Sequence, residues 1–204
     1  MRFYYNVPQI LQNPELPNGC EITSMCELLN YYGYSADKCD LADNYLPQSK
    51  EWYGADPDLV YLGNPRLDGN TPDTGYYCFA GPVMEAASRY IAAHPSSGNV
   101  PQPKDLTGAD ENDLIEALRS GHPFVFWASL HFDDIQFDPA PSWTLSDGTV
   151  HKPFHMLHCM VCRGVDDEFF YIADPLDYNE KVPRAQFMKI FRQLGSRAVI
   201  LSAE

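Results

Sequence analysis

A cysteine at the start of a helix is the first feature of the sequence that could do chemistry. In "LPNGCEITSMCELLNYYGY", residues 16–34, the apolar residues recur at helical spacing and predict one buried face: Ile22, Met25, Cys26, Leu29 and Tyr32. Cys20 lies outside that face, in the first turn, where the helix dipole favours a thiolate and so predicts a lowered pKa. Most cysteines are packed as small apolar residues, which is our interpretation of Cys26. Cys20 is the candidate nucleophile.

The ends of this helix also have sequence signals. Asn18 is a typical N-terminal capping residue, and Glu21, three residues later, occupies the second position of a capping box. Gly33 supplies a C-terminal stop. The pattern predicts a helix over residues 19–32.

A thiol nucleophile needs a base, and the base needs an orienting group. Both occur in "HMLHCMVCRGVDDEFFYIADPLD", residues 155–177, which reads as a hairpin that turns near Asp166. That turn makes His158 and Asp174 direct cross-strand neighbours, with Cβ atoms ~5 Å apart. An imidazole held by a carboxylate is the orienting half of a catalytic triad.

The same hairpin offers a rival pair. His155 and Asp177 would also face one another, but on the opposite face, because 155 and 158 differ by an odd number. Pro175 is expected to end the strand pairing before Asp177, which favours His158.

A zinc site is the alternative for this segment, because two histidines and two cysteines fall within residues 155–162. On a regular strand, however, Cys159 and Cys162 point to opposite faces. A second ligand pair at zinc-module spacing is also missing. We therefore expect no metal and no cofactor.

The elements that must position these residues change character along the chain. Helices are predicted over 19–32, 82–94 and 109–119, and a loop-rich segment at 44–81 is interpreted as functional or as a lid. Strands follow in "HPFVFWASL", "MLHCMVCRGV", "EFFYIADP" and "RAVILS", with a helix over 184–194 before the last of them. This order predicts an α+β fold. We expect one domain over 1–204, helical to about residue 120 and sheet from about residue 121.

Composition limits the partners and the location. Against 14 basic residues there are 28 acidic ones, and the formal charge of -14 argues against nucleic acid or an anionic membrane as a partner. The longest apolar run, around residues 124–130, is far below the ~20 residues of a membrane helix, and residues 1–19 lack the apolar core of a signal peptide. The six cysteines are too scattered to indicate disulfide staples, so we expect reduced thiols and a cytoplasmic location.

Four stretches together resemble a known family: "VPQILQNPELPNGCEITSMCELLNYYGY", "GHPFVFWAS", "LHCMVCRGVDDEFFYIADPL" and "FMKIFRQLGSRAVIL". Their shared pattern is a Gln, a Gly-Cys-Glu-x-x-Ser that opens a helix, a His followed six residues later by Gly, and a strand that ends in Asp-Pro. The chain is similar to papain-like cysteine peptidases related to the bacteriocin double-glycine leader peptidases, and most similar to their stand-alone bacterial branch.

The resemblance implies a papain-like fold and a role for each site residue. Cys20 matches the nucleophile, His158 the general base and acid, Asp174 the residue that orients the imidazole, and Gln12 the oxyanion-hole side chain. Asn13 lies beside Gln12 and is the alternative amide.

The activity implied is hydrolysis of peptide bonds in a peptide or protein substrate. Two alternatives stay open: an acyl transferase that uses the same thioester, and a catalytically idle module that binds peptides in the same cleft. Trp127, Trp143 and the aromatic stretch "GYYCF", residues 75–79, are candidates for the cleft wall, or for the edge of the core.

Overall fold

The computed structural model describes residues 2–69, 71–95 and 100–203. Helices and antiparallel strands form an α+β arrangement, as predicted, but two strands of the main sheet, Phe3–Tyr4 and Gln102–Asp105, lie in the part that was expected to be helical. The helices are α1 (Cys20–Tyr31), α2 (Lys38–Asp40), which continues into a π-helix (Leu41–Tyr45), α3 (Ala80–Ala93), α4 (Glu111–Arg119) and α5 (Arg184–Gln193). None of these helices combines the length and the apolar character needed to cross a membrane.

Thirteen strands accompany the helices in the described ranges. The first six are β1 (Phe3–Tyr4), β2 (Gln48–Ser49), β3 (Tyr61–Leu62), β4 (Gln102–Asp105), β5 (Phe124–Ser129) and β6 (Gln136–Phe137). The others are β7 (Trp143–Thr144), β8 (Val150–His151), β9 (Phe154–His155), β10 (Leu157–Val165), β11 (Phe169–Ala173), β12 (Lys181–Pro183) and β13 (Ala198–Ser202).

The main sheet is antiparallel and has the order β12-β11-β10-β5-β13-β4, with β1 paired to the end of β10. Its central strands are covered on both faces, which is why all six residues of β5 are buried and why its sequence is apolar without alternation. Helices α1 and α3 pack on one face, and α4 and α5 pack on the other. Successive residues of β10 enter the two cores in turn.

Each predicted helix forms, with its ends within two residues of the prediction. The predicted cap of α1 is wrong. The N-cap residue of α1 is Gly19, which has no side chain to cap the helix. Asn18 instead donates from Nδ2 to the carbonyl oxygens of Leu67 (2.8 Å) and Gly69 (3.0 Å). The reason is burial: the segment before α3 covers this end of α1, so Asn18 bonds to that segment and Glu21 turns inward.

The loop-rich segment at 44–81 is ordered around the short parallel pair β2–β3 and a bridge between Gly63 and Gly75. Gly63 has a φ of 82°, and a Cβ atom there would lie 1.8 Å from the carbonyl oxygen of Thr74. This close approach of two backbone stretches requires a glycine. It brings the aromatic stretch before α3 alongside the N-terminus of α1.

Candidate active site

Cys20 is the first residue of α1 and is only 7% exposed. Its thiol donates to Oε2 of Glu21 at an Sγ–O distance of 3.3 Å. One turn further along, the Ser24 hydroxyl donates to the carbonyl oxygen of Cys159 at 3.1 Å, which ties α1 to β10. Helix α1 therefore holds the thiol directly against the central strand of the sheet.

The predicted lowering of the Cys20 pKa is wrong for this arrangement. Burial, and then the adjacent Glu21 carboxylate, raise the pKa of the Cys20 thiol well above its usual value. A helix dipole contributes ~0.3–1 kcal/mol at a surface, whereas full burial can shift a pKa by ~3–5 units. Desolvation therefore outweighs the dipole.

His158 and Asp174 form a buried pair, with Nε2 of the imidazole 2.7 Å from Oδ1 of the carboxylate. Their predicted direct cross-strand pairing is wrong. Val161 lies opposite Ala173, so the register differs by two residues from the expected one, and Asp174 follows the last residue of β11. Because side chains alternate with a period of two, a shift of two residues keeps both groups on the same face. The side chains of His158 and Asp174 therefore meet as a diagonal cross-strand pair and not as a directly opposite one.

Asp174 is fully buried and accepts hydrogen bonds at both carboxylate oxygens. Besides His158, the donors are the backbone N–H of Leu176 (2.8 Å), the backbone N–H of Asn179 (3.0 Å) and the Nδ2 of Asn179 (2.6 Å). Burial alone would raise the pKa of Asp174, but the bonds from His158, Leu176 and Asn179 outweigh burial and hold it below its usual value. Sequence reasoning missed Asn179, for which the only signal was a cluster of turn-forming residues after β11.

The rival pair does not form. Nδ1 of His155 lies 3.6 Å from Oδ2 of Asp138, whereas Asp177 accepts a hydrogen bond from Nε2 of Gln9 at 2.9 Å. Strand β9, which contains His155, pairs with β6 rather than with β11. Asp177 therefore lies outside any pairing with His155.

The prediction that His155 and His158 face opposite ways is also wrong. Met156 has a φ of 55° and interrupts the extended conformation between β9 and β10. The alternation of side chains along a strand therefore does not continue through Met156. Both histidines line the same cavity.

Gln12 is 3% exposed, whereas Asn13 beside it is exposed, so the structure places only Gln12 in the cavity wall. Nε2 of Gln12 donates to the carbonyl oxygen of Pro17 at 2.6 Å, and Oε1 is buried with no hydrogen-bond partner among the described residues. Its backbone N–H donates to the carbonyl oxygen of Pro175 at 2.9 Å, and Lys38 donates to its carbonyl oxygen at 2.9 Å. The residue after Asp174 thus anchors the segment that carries Gln12.

Cys20, His158 and Gln12 line one cavity of about 220 Å³. Its walls are largely apolar and aromatic: Pro17, Tyr76, Tyr77, Leu130, Met156, Leu157 and Leu176. The aromatic stretch 75–79 therefore supplies part of the wall. Trp127 and Trp143 lie in the hydrophobic core instead, where their indole N–H groups donate to the carbonyl oxygens of Cys78 and Ala55, both at 2.8 Å.

The two cysteines of the zinc alternative lie on opposite faces of β10. Cys159 belongs to the core beneath α1 and α3, and Cys162 to the core beneath α4 and α5. The sheet separates them, so they cannot ligate one ion together.

The fold is that of a C39-like peptidase, as comparison with known proteins shows. The chain belongs to the Peptidase_C39-like family, whose model matches residues 4–199. It is 31% identical over 193 residues to YvpB, an uncharacterized protein of Bacillus subtilis (strain 168), a match that covers 92% of this chain and 70% of YvpB.

The chain is also similar in structure to a protein of known structure. A crystal structure from Bacillus anthracis, described as that of a candidate C39-like peptidase, superposes with a TM-score of 0.83 at 29% identity. The match covers 98% of this chain and 97% of that one.

Proposed function

We propose that this protein is a cysteine peptidase in which Cys20 is the nucleophile, His158 the general base and acid, Asp174 the orienting group and Gln12 an oxyanion-hole donor. One observation carries the proposal. Cys20, His158 and Gln12 line the same cavity although His158 is distant in sequence from the other two, and Nε2 of His158 is bonded to Asp174. That bond leaves Nδ1 as the ring nitrogen that exchanges a proton with Cys20.

Acylation begins when the Cys20 sulfur attacks the carbonyl carbon of the substrate and a C–S bond forms. The carbonyl electron pair moves onto oxygen, where the backbone N–H of Cys20 and the amide of Gln12 stabilise the charge. A helix leaves the first N–H groups without intrahelical partners, so among the described residues the N–H of Cys20 is available for this role. The proton of the thiol passes through Nδ1 of His158 to the leaving amine as the C–N bond breaks.

Deacylation reverses these roles. A water molecule gives a proton to His158 and attacks the thioester, the C–S bond breaks, and the imidazole returns the proton to the sulfur. Asp174 keeps Nε2 protonated throughout and stabilises the imidazolium. Its low pKa suits this role because it stays ionised across the neutral range.

The substrate is a peptide or a protein segment that presents a small residue at the scissile bond. The cavity of about 220 Å³ is smaller than the ~300–1,000 Å³ typical of sites for drug-sized ligands. Tyr76, Tyr77 and Leu130 limit the space around Cys20 and favour an extended, uncharged stretch of chain.

Alkylation by iodoacetamide, followed by mass spectrometry, tests the nucleophile. An ordinary thiol is only ~0.3% thiolate at about pH 6, so we expect Cys20 to react at least about tenfold faster than each of the other five cysteines at that pH. His158→Ala should abolish the advantage, because the imidazole no longer takes the proton.

His155→Ala is the matched control, because it removes the other histidine of the cavity wall, whose Nδ1 lies 3.6 Å from Oδ2 of Asp138. It should leave Cys20 reactive. If Cys20 in the wild type reacts no faster than the buried Cys78 at any pH, the peptidase assignment is wrong and a peptide-binding module becomes the better reading.

A further inference from the structure

Glu21 is a fully buried carboxylate in direct contact with the proposed nucleophile. Oε2 accepts a hydrogen bond from the Cys20 thiol at 3.3 Å, and Oε1 accepts one from the backbone N–H of Cys78 at 3.1 Å. Neither bond belongs to the helix cap that the sequence suggested, and the mechanism above does not use this carboxylate. A buried charge without a cation beside it is costly, so a role at the site is the more economical explanation.

The surroundings of Glu21 give it no compensating charge. Within the described ranges, its carboxylate bonds to the Cys20 thiol, the Cys78 N–H and its own backbone N–H, and it forms no ion pair. Titratable side chains from β3, from the stretch before α3 and from β10 interact with it: Tyr61, Tyr77, Cys78 and Cys159. Burial raises the pKa of each of these four groups, so they are neutral around pH 7.

The ion pair that the proposed mechanism requires between Cys20 and His158 would therefore form in a negatively charged site. Asp174 already contributes one negative charge close enough to raise the pKa of Cys20. If Glu21 were also ionised, the thiolate, Asp174 and Glu21 would carry three negative charges against the single positive charge of the imidazolium. Negative charges that lie close to Cys20 disfavour its ionisation by ~1–3 pKa units.

We infer that Glu21 is a further catalytic residue: Cys20 reaches its reactive thiolate form only while the Glu21 carboxyl group holds a proton, and ionised Glu21 keeps Cys20 as a neutral thiol. This inference rests on the proposed function. In the reactive form the hydrogen bond reverses, and the O–H of Glu21 donates to the sulfur. In the resting form the S–H of Cys20 donates to the carboxylate, and the Sγ–Oε2 distance of 3.3 Å fits both forms.

The protons balance as follows. In the reactive form two exchangeable protons are bound, one on Glu21 and one on Nδ1 of His158. When Glu21 loses its proton to solvent, the imidazolium returns its own to Cys20, so the resting form carries one. The loss of the last proton, from Cys20, leaves a thiolate beside a neutral imidazole. Because Glu21 and Cys20 interact directly, their apparent pKa values belong to the pair.

The pKa of Glu21 supports this sequence of states. Burial raises it from 4.5 to about 7, so the carboxyl group changes its protonation near neutral pH. Burial and Glu21 itself raise the pKa of Cys20 well above its usual value, so the last deprotonation falls at alkaline pH. A window in which Cys20 is a thiol separates the two steps.

The test is the rate of iodoacetamide labelling at Cys20 between about pH 5 and 10. In the wild type we expect a rate that falls about tenfold as pH rises through about 7, and that rises again at alkaline pH. Glu21→Gln keeps the acceptor for Cys78, offers an uncharged donor to the sulfur, and should remove the fall. Glu27→Gln, a second fully buried glutamate of α1 whose partner is the N–H of Ile10, should keep it.

The outcomes separate the two proposals. If wild-type labelling at Cys20 is fast but never falls with rising pH, the role of Glu21 is overturned while the peptidase assignment stands. If Cys20 is as slow as the other cysteines at every pH, in both wild type and Glu21→Gln, the nucleophile assignment itself fails. The wild-type profile decides the question even if Glu21→Gln does not fold.

Discussion

Asn179→Ala should destabilise the protein through the loss of two partly buried hydrogen bonds. Nδ2 of Asn179 donates to Oδ2 of Asp174 at 2.6 Å and to the carbonyl oxygen of Leu130 at 3.0 Å. The first bond is made to a carboxylate inside the fold, and the second holds the loop that follows β5. Asp174 keeps the backbone N–H of Asn179 at 3.0 Å, so the variant removes the side-chain contribution alone.

The expected cost follows from these contacts. A hydrogen bond to a charged group contributes ~1.5–3 kcal/mol and a neutral one ~0.5–1.5 kcal/mol. The variant should therefore lower the free energy of unfolding by about 2–4 kcal/mol at neutral pH. Urea denaturation measures this as a lower midpoint with an unchanged slope.

Asn44→Ala is the matched control, because Nδ2 of Asn44 donates to Oδ1 of Asp40 at 2.7 Å in an exposed pair. Water replaces such a bond, so its loss should cost less than ~0.5 kcal/mol. If Asn179→Ala costs no more than Asn44→Ala, the network around Asp174 does not stabilise the fold as argued.

The cost of Asn179→Ala should also depend on pH. The pKa of Asp174 is lower in the folded protein than in the unfolded chain, so its contribution to stability is complete above the unfolded value of ~3.9 and is lost as pH falls through the folded value. The difference between wild type and variant should shrink in acid. A difference that stays constant down to about pH 2 would refute the charge-assisted bond.

Two further predictions concern other buried contacts. The pKa of Glu21 is raised from 4.5 to about 7, so its stabilising contribution is complete below the lower value and is lost as pH rises through the higher one. Between these pH values the stability of the wild type relative to Glu21→Gln should fall by about 3 kcal/mol, and parallel urea profiles would contradict this. Gly63→Ala should cost more than ~2 kcal/mol, because its Cβ would strike the Thr74 carbonyl, whereas Gly54→Ala, with a φ of 84° and open space, should cost about 1 kcal/mol. Equal thermal shifts would refute the close approach at Gly63.

Local sequence patterns were sufficient to predict the long helices and strands of the fold. The periodicity around Cys20 predicted α1, and the apolar runs predicted β5, β10, β11 and β13, because side-chain spacing and turn residues act over a few positions. The short pieces were not predicted. Strand β4 has the sequence "QPKD" and exists because β13 offers it an edge, which no local signal records.

The candidate site was predictable in its residue types but not in its geometry. The sequence pointed to His158 and Asp174, yet their contact depends on a register two residues away from the expected one. The turn and the bulge after Cys162 set that register, and neither is visible in an alternating pattern. The role of Asn179 was not predicted, because only the folded turn brings its side chain back to Asp174.

Glu21 separates the two kinds of information most clearly. The sequence by itself determined that a carboxylate follows the cysteine at the start of an amphipathic helix, and local rules assigned it to a cap. Only the tertiary structure decided that the stretch before α3 covers this helix end, which buries Glu21 between the Cys20 thiol and the Cys78 N–H. Burial depends on segments distant in sequence, and burial sets both the charge of Glu21 and the reactivity of Cys20.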